Sequence, residues 1–101
     1  MSQIKIYITE NMIEIEGHAQ PDVCAAISSI MYTAVNIMNH IDEEAVSFED
    51  DGRLVIIQRL KRSNELDASW DTMIRMFKDA EEMSEGQVLI NDIHSKTQRL
   101  S

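Results

Sequence analysis

An α+β domain, two helices packed on a mostly antiparallel sheet in the order ββαββαβ, is what the hydropathy pattern of this chain implies. Two period-2 stretches open the sequence, a long helical stripe follows, and an Asp-Gly turn precedes a second stripe. The length of 101 residues allows one domain, spanning 1–101, and no second.

Ile4-Lys5-Ile6-Tyr7-Ile8-Thr9 alternates apolar and polar residues, the signature of a half-buried strand. Glu10-Asn11 reads as a tight turn, and Met12-Ile13-Glu14-Ile15-Glu16 alternates again, completing a hairpin that Gly17 ends. Asp22 is the expected N-cap of the first helix, with Pro21 leading the chain into it. The stripe Val23, Ile27, Ile30, Met31, Ala34, Ile37, Met38 and Ile41 carries that helix to about His40. Asp42-Glu43-Glu44 is a solvated exit. Ala45 to Glu49 and Leu54 to Leu60 then bracket Asp50-Asp51-Gly52-Arg53, a hairpin-turn composition. The arm Leu54-Val55-Ile56-Ile57 is continuously apolar, which suits cover on both faces or a subunit contact. A second helix is expected to begin near Asp67 or Ser69, with Trp70 as its core anchor and Met73, Ile74, Phe77, Ala80 and Met83 along its stripe. Gly86 stops it, Gln87 to Ile93 forms a last strand, and Ser95 to Ser101 is a frayed tail.

Composition excludes several functions. Lys and Arg number 9 against 18 acidic residues, a net charge of −9, so the chain has few cations with which to neutralise phosphates. Nucleic acid and anionic membrane are not expected partners. No apolar run reaches the ~20 residues that span a bilayer, and the start MSQIKIYITE lacks a signal layout. One cysteine cannot form an internal disulfide, which suits a reducing cytoplasm. There is no Gly-rich phosphate loop, no C-x-x-C and no G-x-S-x-G. No metal site is expected: His18, Cys24, His40 and His94 are the only soft ligands and fall mostly on different elements, while Glu49-Asp50-Asp51 reads as solvated surface.

One segment stands apart. Gly17-His18-Ala19-Gln20-Pro21-Asp22-Val23-Cys24 places an imidazole at a strand end and a thiol in the first turn of the next helix. A helix N-terminus carries roughly half a positive charge and free N–H groups, which suits a thiolate nucleophile and an oxyanion. A base and a thiol together are the minimum apparatus of thiol catalysis. The ordinary alternative is a small buried cysteine and a strand-end histidine bonded to backbone, and His40 and His94 are assigned to such roles.

The joint pattern of Gly17-His18-Ala19 with Asp22-Val23-Cys24-Ala25-Ala26-Ile27-Ser28 resembles the ribosomal-processing cysteine protease (Prp, YsxB-like) family. The resemblance implies a small homodimeric cysteine endopeptidase without a cofactor, acting on a protein or peptide. Family members remove a short N-terminal extension from a ribosomal protein, and phage-associated relatives process capsid or scaffold proteins. His18 matches the family's catalytic histidine and Cys24 its nucleophile. Gly17, Ala19, Asp22, Ala25 and Ser28 match the surrounding motif, where they would support the site or the oxyanion. One feature departs from the family: only Ala19 to Val23 separate His18 from Cys24, in place of a longer, Gly-containing loop. Five residues span at most about 18 Å, so a sharp reversal still brings the pair together. The missing loop also admits a second function, a dimeric binding or assembly module without catalysis. A third reading, a thiol redox sensor, leaves His18 unexplained.

Overall fold

A computed structural model describes residues 2–93. The first alternating stretch forms β1 (Ile4–Ile8), and the second forms β2 (Met12–Gly17). They pair antiparallel with Ile6 opposite Ile15 and Ile8 opposite Ile13. That register puts every isoleucine of the hairpin on one face: Ile4, Ile6, Ile8, Ile13 and Ile15 are all buried. Lys5, Glu14 and Glu16 share the other.

The rest of the sheet is built around this hairpin. β3 (Val46–Asp50) and β4 (Leu54–Arg59) form the second hairpin, and β4 pairs antiparallel with β2. β5 (Val88–Asp92) lies parallel to β1 on its other side. The strand order is β3-β4-β2-β1-β5, with one parallel pairing among four. In β4, Val55 and Ile57 join the core while Leu54 and Ile56 stay half-covered on the outer face. Its continuous apolar run therefore reflects both faces, not a doubly covered strand.

Helix α1 (Pro21–Ile41) buries Ile27, Met31, Val35 and Met38 on the sheet. This line is rotated from the expected stripe. Ile37 and Ile41 are exposed, and Ile30 and Ala34 turn toward the neighbouring helix. Helix α2 (Asn64–Met83) buries Leu66, Trp70, Met73 and Phe77. It begins a turn earlier than Asp67, because the Ser63 hydroxyl accepts from the Leu66 N–H at 3.1 Å and Leu66 is its first core contact. Trp70 is the anchor expected of it. The buried Arg59 guanidinium stacks over its ring at 4.6 Å, pairs with Asp67 at 3.2 Å and donates to the Glu10 carbonyl. Ser84 caps the C-terminus of α2, and Gly86 follows in the turn that leads to β5. The expected tail 95–101 and His94 lie outside the described residues. Among the described residues, no helix is long and apolar enough to cross a membrane.

Candidate active site

The strand-to-helix connection after β2 sets the site. Gly17 has φ +94°, and its backbone lies so close to Gln3 that a Cβ would collide with the Gln3 carbonyl oxygen. The chain leaves the sheet there, passes through the exposed His18 and half-buried Ala19, and enters α1 at Pro21. The N-cap is Gln20, not Asp22. Proline's fixed φ suits the first helical position, so the helix starts on it and carries Asp22 one place inward. There the Asp22 carboxylate accepts from the Val23 N–H at 3.0 Å and still complements the helix dipole.

Cys24 sits one turn into α1, half-buried, and its sulfur touches the linker twice. The Ala19 N–H donates to Sγ at 3.4 Å, and the thiol donates to the Ala19 carbonyl at 3.5 Å. An amide nitrogen and the preceding Cα are joined through one carbonyl carbon, so the 3.4 Å contact places Sγ within about 6 Å of the His18 Cα. An imidazole arm covers that distance. The five-residue linker thus folds back on the sulfur, and its shortness does not carry the His18 backbone away from Cys24.

His18 and Cys24 line one cleft of about 210 Å³. Its apolar floor comes from the sheet and α1, including Ile4, Ile15, Ile27 and Val55. Gly17 and Ser28 line it as well, the latter one turn beyond Cys24 on the same helix face. Asp22 and Ala25 do not. Asp22 borders a separate depression with Ala26, Asp79 and Met83. The expected oxyanion donors of the first turn are also engaged, since the Val23 and Cys24 N–H groups both donate to the Gln20 carbonyl at 3.0 Å. The amide directed at the sulfur belongs to Ala19.

The opposite wall is the β3–β4 hairpin, which the sequence marks as a turn without placing it. Asp50, Gly52 and Arg53 face the cleft together with Tyr32 of α1. Two carboxylates make this wall rigid. Asp50 accepts from the Gly52 N–H at 2.9 Å and from the Tyr32 hydroxyl at 3.4 Å. Asp51 accepts from the Arg53 and Leu54 N–H groups, both at 2.9 Å, and these bonds, that from Arg53 foremost, hold its carboxyl below the usual range. Nothing local in the sequence reveals that this turn reaches His18. The pairing of Glu16 with Leu54 brings it there.

A larger concavity, about 340 Å³, lies between α1 and α2, but its walls (Ile30, Ala34, Ile37, Met73, Met76 and neighbouring Ser and Thr) carry no ionisable group. The smaller cleft is the one lined by both the Cys24 thiol and the His18 imidazole.

Comparison with known proteins bears on the fold and the family. Two structures of an essential ribosomal processing protease, Prp, from Staphylococcus aureus share the fold. One, with a covalently linked product peptide, is 22% identical with a TM-score of 0.72; the other, with a substrate peptide, is 17% identical with a TM-score of 0.75. Each alignment covers 91% of this chain and 99% of that one. A Streptococcus mutans protein matches at 17% identity and a TM-score of 0.72, covering 93% of this chain and 95% of its own. No match is found among curated proteins. The sequence model of the family described as cysteine protease Prp matches residues 1–95. With nearly the whole chain matched, and with a thiol and an imidazole on one cleft, this protein belongs to the cysteine protease Prp family.

Proposed function

We propose that the chain is a cytoplasmic endopeptidase in which Cys24 is the nucleophile and His18 the general base, removing a short N-terminal extension from a ribosomal protein. The observation that carries this reading is the Ala19 contact, which ties the sulfur to the residue next to His18. Catalysis begins when the S–H leaves the Ala19 carbonyl and its proton passes to the imidazole. The thiolate, held by the Ala19 N–H, attacks the scissile carbonyl carbon. The C–S bond forms as the carbonyl π pair moves to oxygen. Collapse of this intermediate breaks the C–N bond, and the leaving amine takes the proton from the imidazolium. Water, deprotonated by His18, then cleaves the thioester, and the thiol regains its proton. The apolar floor of Ile4, Ile15, Ile27 and Val55 suits an apolar substrate side chain beside the scissile bond.

The name of the staphylococcal relative supports a ribosomal substrate over a phage capsid or scaffold protein. Purified protein should cleave a peptide copying the N-terminal extension of a large-subunit ribosomal protein from its own genome. Capsid and scaffold proteins should survive the same incubation, read by mass spectrometry. Cleavage of the capsid proteins alone would reverse the assignment.

We further infer a symmetric homodimer. The groove between α1 and α2 supports it: Ile37 and Met76 are 48% and 44% exposed there, and Met83 beside it is 82% exposed. In a chain of net charge −9, an uncharged apolar face is where two copies can meet without repulsion. Sedimentation at about 50 μM should give a dimer, and Met76→Glu a monomer. A native monomer at that concentration contradicts the assignment.

A further inference from the structure

Gln87, in the turn between α2 and β5, lines no part of the cleft, yet it holds the linker that joins His18 to Cys24. Its Oε1 accepts from the Gln20 N–H at 3.0 Å, a contact across 67 residues of sequence. Gln87 is itself well anchored. Its backbone carbonyl accepts from the Ile4 N–H at 2.8 Å, and its backbone N–H and Nε2 each donate to the Ser84 carbonyl at 3.3 Å. Ser84 is buried, and its hydroxyl accepts from the Val88 N–H at 3.0 Å while donating to the Glu81 carbonyl at 2.9 Å. A rigid post therefore stands beside the linker.

Gln20 is fastened at both ends. Its N–H is bound to Gln87, and its carbonyl accepts from the Val23 and Cys24 amides. The peptide just before it, Ala19, is the one resting on Sγ. Without the Gln87 contact, residues 18–20 would keep only Gly17 behind, the helix ahead, the packing of Ala19 on the core and the two long sulfur contacts of Ala19. The freed segment would lift Ala19 off the sulfur and carry His18 with it.

We propose that Gln87 is a positioning residue for the Cys24–His18 pair, acting through the Gln20 amide and the Ala19 peptide. This rests on the reading of His18 and Cys24 given above. The role needs a side-chain acceptor at that post, which methionine lacks at nearly the same length.

The test is the rate at which iodoacetamide alkylates Cys24 in the full chain, measured with and without His18→Ala in the native and Gln87→Met backgrounds. In the native protein, His18→Ala should slow alkylation about fivefold, because the imidazole no longer helps form the thiolate. In the Gln87→Met background the same substitution should slow it less than about twofold. Peptide cleavage by Gln87→Met should lose about tenfold in kcat with KM unchanged. Gln20→Pro removes the same donor at φ −62°, an angle proline adopts, so it provides the test should Gln87→Met fail to fold. It is expected to give the same loss, and combining the two variants should cost no more than either. A His18 dependence that survives both variants at its native size overturns the role of Gln87 and leaves the pair intact. No His18 dependence in the native protein overturns the pair, and the role of Gln87 with it.

Discussion

Cys24→Ala is expected to abolish peptide cleavage, lowering kcat/KM by at least about 10⁴-fold, and His18→Ala should come close to it. The two act as a unit, so the double variant should be hardly worse than either alone. Removing the sulfur eliminates the covalent route, and removing the imidazole leaves a thiol whose hydrogen faces the Ala19 carbonyl with no base to take it. Neither loss should come from unfolding. His18 is exposed, and Cys24 is half-buried at the margin of the core with two long sulfur contacts to Ala19. The stability cost should stay within about 1 kcal/mol for each variant. Thermal unfolding run beside the activity assay separates the two effects. A Cys24→Ala variant that keeps a tenth of native activity would show that the thiol is not the nucleophile.

Gly17→Ala should have the largest effect on the fold. At φ +94° an L side chain is strained by about 1–2 kcal/mol before any contact is counted. The added Cβ would also meet the Gln3 carbonyl, which is backbone at the start of the β1 pairing and cannot rotate away as a side chain could. Forcing these strands apart costs about 1–3 kcal/mol more. At the usual sensitivity of a domain this size, Tm should fall by about 10–20 °C. Gly52 is the control. Its φ is +88°, but nothing lies within 4 Å of a Cβ built there, so Gly52→Ala carries only the conformational cost. Equal Tm values for the two variants would show that the close approach of Gln3 does not matter.

The candidate residues Gly17, His18 and Cys24 are legible because they are close in sequence, and all three line one cleft. Gly17, His18 and Cys24 form a short motif at a strand–helix junction, and strand alternation and helical spacing placed that junction within a residue or two. Where local signals compete, spacing alone misplaces the helix start. Asp22 is a good N-cap in isolation, but Pro21 fits the first helical position better and shifts the cap to Gln20. Asp67 has the composition of a helix start, but Ser63 caps the chain four residues earlier and Arg59 takes the Asp67 carboxylate as a partner. The residues across the cleft were not legible at all. Tyr32, Asp50 and Arg53 reach it only through the packing of α1 on β3 and the register of β2 on β4. Gln87 reaches the linker because β5 runs parallel beside β1, a pairing that no local pattern announces. Local periodicity reports which side of an element is apolar. It does not report which elements become neighbours.

The role of Cys24 is tested most directly by acid-quenching the protein during cleavage of the ribosomal extension peptide and measuring its intact mass. The mechanism predicts an adduct equal to the N-terminal fragment of the peptide, mapped to Cys24 as a hydroxylamine-labile thioester and missing from Cys24→Ala. Cleavage that proceeds without this adduct and persists in Cys24→Ala would contradict covalent catalysis. If the native protein neither forms the adduct nor cleaves the peptide, the domain is not working as a protease, and a dimeric assembly module is what its fold and its apolar groove would then serve.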